Sequence, residues 1–89
     1  MVEYRIKVSA TAERQLRKLQ PADRNRLIVV IQKLADNPRP KGCRKLRGYD
    51  DVYRVREGAF RIIYSIEDDR LLVLLLKIGH RKDVYRGYS

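Results

Sequence analysis

The chain has 89 residues, 44% hydrophobic and 36% charged, with 21 Lys and Arg against 11 Asp and Glu, a formal net charge of +10. That composition belongs to one folded domain spanning residues 1–89 rather than to a disordered tail, and its basic excess points to nucleic acid first, then to an acidic protein partner or a membrane surface. The lone Cys43 excludes an intramolecular disulfide and a thiolate metal cage, and a reducing cytoplasm is the expected setting.

The N-terminal stretch MVEYRIKVSA alternates Val2, Tyr4, Ile6 and Val8 with polar residues, which predicts a half-buried strand and not a signal peptide. Ser9 fits the N-cap of a first helix, in which Ala12, Leu16 and Leu19 recur at helical spacing. Pro21 suits the first turn of a second helix, with Asp23 near the positive end of its dipole. Leu27, Ile31 and Leu34 form the apolar stripe of that helix, widened by Ile28 and Val30, and Pro38 and Pro40 stop it.

A basic loop follows, with Lys41, Arg44, Lys45 and Arg47 within seven positions. Val52 to Tyr64 then reads as two strands joined by a tight turn at Glu57-Gly58. Strand alternation puts Arg54 and Arg56 on one face and Tyr53 and Val55 on the other, and a two-residue loop sets Arg54 opposite Arg61 and Arg56 opposite Ala59. A four-residue loop keeps the same parity. Facing like charges destabilise a sheet, so the arrangement suggests an anion between them. Tyr53, Phe60 and Tyr64 alternate with apolar positions and read as core rather than as base-stacking platforms.

Glu67 to Arg70 reads as a turn, and Leu71 to Ile78 as a central strand covered on both faces. The apolar run from Leu71 to Leu76 is too short to span a bilayer, so no membrane association is expected. The expected class is α+β: an N-terminal strand, a two-helix hairpin, then a three-stranded antiparallel meander.

Phosphate-binding glycine loops, paired Cys/His spacings and nucleophile elbows are all absent from the sequence, so no metal or cofactor is implied. Asp50-Asp51 and Asp68-Asp69 read as acidic turn residues. The positive signal is the basic face. Arg54, Arg56 and Arg61 each offer a fork suited to phosphate oxygens; Gly79 allows a bend, His80, Arg81, Lys82 and Tyr85 follow it, and a tail folded back over the meander would bring Arg81 and Tyr85 to the same surface. Several arginines with a tyrosine and a histidine suit metal-free RNA cleavage. The 2′-hydroxyl attacks the adjacent phosphate, cations stabilise the developing charge, and an acid protonates the leaving oxygen. His80 has two readings, a loop residue or a proton carrier.

The segments LRG (Leu46–Gly48), VYRVREGAFRIIYSI (Val52–Ile66) and KIGHRKDVY (Lys77–Tyr85), after a strand and a helical hairpin, resemble the RelE toxins of bacterial and archaeal toxin–antitoxin pairs, within the wider RelE/ParE group. The resemblance covers essentially the whole chain. It implies a microbial-ribonuclease-like fold, ribosome-dependent cleavage of mRNA in the A site and inhibition of translation. It also implies a RelB-type antitoxin in a higher-order hetero-oligomer. Arg54, Arg56, Arg61, Arg81 and Tyr85 match positions that the family associates with catalysis, Arg61 and Arg81 clamping the scissile phosphate and Tyr85 stacking on or orienting the base. One departure is the arginine at positions 54 and 56, where relatives can carry lysine. Arginine stays protonated, so His80 or Tyr85 becomes the candidate proton acceptor. Lys41, Arg44, Lys45, Arg47 and Lys82 are candidate contacts to mRNA or rRNA phosphates. Two other functions remain open: a gyrase inhibitor of the ParE type, and a basic RNA-binding module without activity.

Overall fold

The structure, a computed structural model, describes residues 3–80. Its elements run β1 (Arg5–Val8), α1 (Ala10–Arg17), α2 (Pro21–Asp36), β2 (Arg44–Lys45), β3 (Val52–Glu57), β4 (Phe60–Glu67), a 3₁₀ turn (Asp68–Arg70) and β5 (Leu72–His80). The strands form one sheet in the order β1-β5-β4-β3-β2. β1 pairs with β5 in parallel, and the other pairings are antiparallel. The class is α+β as expected. Of the five strands the middle one is β4, not β5, which lies between β1 and β4.

Local chemistry sets the helices. Ser9 caps α1, its Oγ accepting from the Ala12 N–H at 3.0 Å. α1 ends at Arg17, so Leu19 lies past the helix, in the joint, where it packs against the core. From α2, the Arg24 guanidinium donates to the Leu16 and Leu19 carbonyls, at 3.2 and 3.0 Å. The Leu16 carbonyl also accepts from the Leu19 N–H at 3.2 Å, so Arg24 reinforces the end of α1 and fixes the joint that follows it. Pro21 does open α2. Leu27, Ile31 and Leu34 are buried and Val30 packs beside them, but Ile28 and Val29 face outward.

Both helices cover one face of the sheet. Ala12, Leu27, Ile31 and Leu34 meet Val55, Phe60, Ile62, Tyr64, Ile66, Val73, Leu75 and Ile78 in one buried cluster. Tyr64 and Phe60 are core residues, and the Tyr64 hydroxyl donates to the Pro38 carbonyl at 2.7 Å. Burial pushes the Tyr64 phenol up, with the nearby Cys43 adding to the shift. The opposite, open face has only a small apolar floor, Val52 and Ile63 with Leu46 and Leu76 against them.

An irregularity in β5 sets which side chains reach the open face. Ile63 pairs with Lys77 and Tyr64 with Leu75, leaving Leu76 as a bulge. Without it, strict alternation from Val73 and Leu75 would send Lys77 to the helix side. β1 pairs with β5 only as far as Val8 and Leu75, and beyond that point Ser9 and α1 supply partners along the strand. Ser9 Oγ donates to the Leu76 carbonyl at 3.0 Å, and Gln15 Oε1 accepts from the Ile78 N–H at 2.6 Å.

A second set of polar contacts ties the sheet's other end. Arg39 makes a two-pronged contact with Asp68 (3.1 and 2.8 Å), donates to the Tyr53 hydroxyl and lies over that ring, 5.2 Å from its centroid. Tyr4 donates to Asp68 Oδ1 at 2.6 Å. The hydrogen bonds from Arg39 and then Tyr4 hold the Asp68 carboxyl down to about 2. Asp68 is thus a structural turn residue.

Candidate functional site

The hairpin turn is Gly58-Ala59, one residue later than expected, because Glu57 pairs with Phe60. Gly58 adopts φ +60, a conformation that costs residues with a side chain. The shift moves every cross-strand partner by two positions and so keeps the parity. Arg56, not Arg54, faces Arg61, and Arg54 faces Ile63. All three arginines share the open face.

The basic loop is not wholly a loop. Its Arg44-Lys45 pair forms the edge strand β2, with Arg44 opposite Arg54 and Lys45 opposite Tyr53. The open face therefore carries two facing arginine pairs, Arg44 with Arg54 and Arg56 with Arg61. Lys77 shares this face, one strand over, beside Ile63. Lys45 projects to the other face with Tyr53, and Arg47 sits on the exposed turn that follows β2.

Burial sharpens the array. Arg61 is only 8% exposed, and its Nε, like Arg54 Nη1, is buried with no hydrogen-bond partner among the described residues. The Arg61 Nη1 contact to its neighbour's carbonyl, Phe60 O, is long at 3.5 Å. The four ion pairs among the described residues join Arg17 to Glu13, Arg26 to Asp23, Arg39 to Asp68 and Arg70 to Glu67. None of them involves Arg44, Arg54, Arg56 or Arg61. Buried polar groups nearly always find partners, and buried charges nearly always find opposite ones. Arg54 and Arg61, each with a buried nitrogen that has no partner among the described residues, are arranged for an anion, and their planar forks match phosphate oxygens.

His80 does not join it. It pairs with Phe60, which places it on the helix side of the sheet, and its ring stacks on the Phe60 ring at 4.7 Å between centroids. The expectation that His80 sits with the arginines is corrected: Ile78 and His80 alternate onto the helix face beyond the Leu76 bulge. Arg81, Lys82 and Tyr85 lie outside the described residues. Sequence reasoning missed Arg44 and Lys77 as members of this face. β2 is too short to announce itself by alternation, and a bulge has no residue signature in LLVLLLKIGH.

Comparison with known proteins identifies the family. Residues 6–85 match the family model for the ParE toxin of type II toxin–antitoxin systems. The toxin RelG of Mycobacterium tuberculosis is 30% identical over 88 residues, covering 93% of this chain and 97% of its own length. Among solved structures, the RelBE2 toxin–antitoxin complex of the same organism superposes with a TM-score of 0.81 at 29% identity, over 91% of this chain and 94% of that one. The archaeal RelE–RelB complex of Pyrococcus horikoshii does so with the same score and identity, over 91% and 98%. The chain belongs to the RelE/ParE family and is a toxin of a type II toxin–antitoxin system.

Proposed function

We propose that the chain is a ribosome-dependent endoribonuclease that cuts mRNA in the A site and so stops translation. The observation that carries this reading is the buried, unpartnered pair of guanidinium nitrogens on Arg54 and Arg61. Attack by the 2′-hydroxyl on its own phosphate builds negative charge on the phosphorane oxygens. Donors already in place, and held without competing carboxylates, stabilise that charge more than the ground state. Arg61 and Arg54 bind those oxygens and Arg56 screens the strand from the exposed side. Arg81 completes the clamp and Tyr85 stacks on or orients the base. With His80 on the other face of the sheet, the proton-transfer role falls to Tyr85.

The toxin's net charge of +10 favours an acidic segment that folds on binding, a RelB-type antitoxin in a hetero-oligomer. Its site of action is the cytoplasm, where ribosomes are. Among the described residues no helix is long and apolar enough to cross a membrane.

The test is to add the purified protein to a translating extract and map the 5′ ends of a defined mRNA, beside a tube of naked RNA. Cuts within codons only where ribosomes are present are expected. Intact mRNA in both tubes would overturn the reading. One observation favours a second function: the matching family model is that of ParE, so a gyrase supercoiling assay belongs beside the extract. Inhibition of supercoiling with intact mRNA would assign the chain to the gyrase-directed branch.

A further inference from the structure

The edge of the sheet beside the arginine array is unfinished. Continuing the β2–β3 register past Arg44 would set Cys43 opposite Val55 and Gly42 opposite Arg56. The chain turns away instead. The Cys43 N–H donates to the Pro40 carbonyl at 3.0 Å, and Gly42 takes φ +93, the positive value that the third position of a type II turn requires. β3 thereby loses its strand neighbour beyond Arg54, and a cleft of about 320 Å³ opens, lined by Lys41, Gly42, Arg44, Val55 and Arg56. That volume is at the lower end of ordinary small-ligand sites.

The lining has one character. It contains three cations and no carboxylate, and Val55 reaches it only from the edge of the buried core. Lys41, Arg44 and Arg56 make no ion pair among the described residues, whereas Arg17, Arg26, Arg39 and Arg70 each have a carboxylate partner. Apart from the adjoining residues of the turn, no described residue comes within 4 Å of where a Cβ on Gly42 would lie, so the space above the turn is open. Arg56 belongs to both places, since it lines the cleft and pairs across the sheet with Arg61. Two strand spacings, roughly 10 Å of backbone separation, lie between β2 and β4.

We infer that this edge cleft is a second anion subsite, which holds the RNA phosphate next to the one that is cut. Lys41 and Arg44 grip that phosphate, and Arg56 bridges the two subsites. The inference rests on the ribonuclease reading and adds a direction to it: RNA crosses the open face from β4 toward the β2 edge. It also divides the basic loop. Lys41 and Arg44 hold substrate, while Lys45 and Arg47, which do not line the cleft, do not.

The test uses the purified full chain and an uncleavable 2′-O-methyl trinucleotide, which has two phosphodiesters. Each is replaced in turn by a neutral methylphosphonate, and affinity is measured at low salt. In the wild type both replacements weaken binding, each by about fivefold or more, the low end for a charge-assisted contact kept partly in water. In the Lys41→Ala/Arg44→Ala protein one of the two replacements becomes silent, and in Arg61→Ala the other does. Lys33→Ala, on α2, removes one charge away from the cleft and leaves the wild-type pattern. Wild-type responses to both replacements in Lys41→Ala/Arg44→Ala would overturn the subsite. So would the same silencing in Lys33→Ala, because a diffuse field would then suffice. A wild type that shows both responses yet cuts nothing in a translating extract would refute the nuclease reading and leave the subsite standing.

Discussion

If the open face is built for an absent anion, Arg61 costs the toxin stability. Arg61 is 8% exposed, its Nε has no partner among the described residues, and Arg56 stands directly across from it. A buried donor left unsatisfied costs about 1–3 kcal/mol, and a facing like-charge pair adds about 0.2–1 kcal/mol. Arg61→Met keeps most of the aliphatic packing and removes both costs, so the variant is expected to be more stable by about 2 kcal/mol. For a chain of this size that raises Tm by roughly 8–16 °C. The same variant should cut mRNA about 10²–10³-fold more slowly, the usual effect of losing one preorganised donor. Thermal unfolding at low ionic strength is the assay, with and without inorganic pyrophosphate as a stand-in for RNA phosphates. An anion at ten times its Kd adds about 1.4 kcal/mol to the state that binds it. Pyrophosphate should therefore raise Tm in the wild type and do so far less in Arg61→Met. A fall in Tm for Arg61→Met, or an equal pyrophosphate effect on both proteins, would refute the claim that Arg61 is held in a costly state for an anion.

Two further predictions concern the scaffold that holds the face. The Asp68 carboxyl is held down to about 2 by Arg39 and Tyr4, below an unfolded value near 3.9. Its stabilising contribution is therefore full above about pH 4 and lost as pH falls toward 2. The difference in urea midpoint between wild type and Asp68→Asn should shrink over that window, and shrink less in high salt because the pair is exposed; a gap independent of pH would show that Asp68 acts without its charge. Ser9→Ala removes both the α1 cap and the donor to the Leu76 carbonyl at the bulge, an expected loss of about 1–2 kcal/mol by urea unfolding. A loss under about 0.3 kcal/mol would mean that water replaces both contacts.

The part of this architecture that periodicity encodes was legible in the chain. Leu27, Ile31 and Leu34 repeat at helical spacing and are buried, and Pro21 opens α2. The shared face of Arg54, Arg56 and Arg61 was legible too, for a specific reason. Moving a hairpin register by two positions changes every partner but no side-chain direction, so the face survived although the pairing was Arg56 with Arg61. What periodicity does not encode was hidden. Ile28 sits one residue from Leu27, inside the apparent stripe, yet it faces outward because α2 presents only one side to the sheet. The Arg39–Asp68 contact joins residues 29 positions apart, and no local pattern announces it.

The Leu76 bulge is the deepest of these silences, because it reverses direction and not just pairing. A single extra residue rotates everything after it, so Lys77 reaches the arginine face while His80 stacks on Phe60. In a strand without irregularity, the spacing from Val73 and Leu75 would put Lys77 in the core and Ile78 in water, a double cost that hydrophobic burial forbids. The bulge is the arrangement that buries Ile78 and Leu75 together, and the backbone there is held by Ser9 and Gln15 of the preceding cap and helix. The side-chain inventory of the candidate site is thus fixed partly by the packing of the opposite face. Residues that never approach the arginines decide which cations join them.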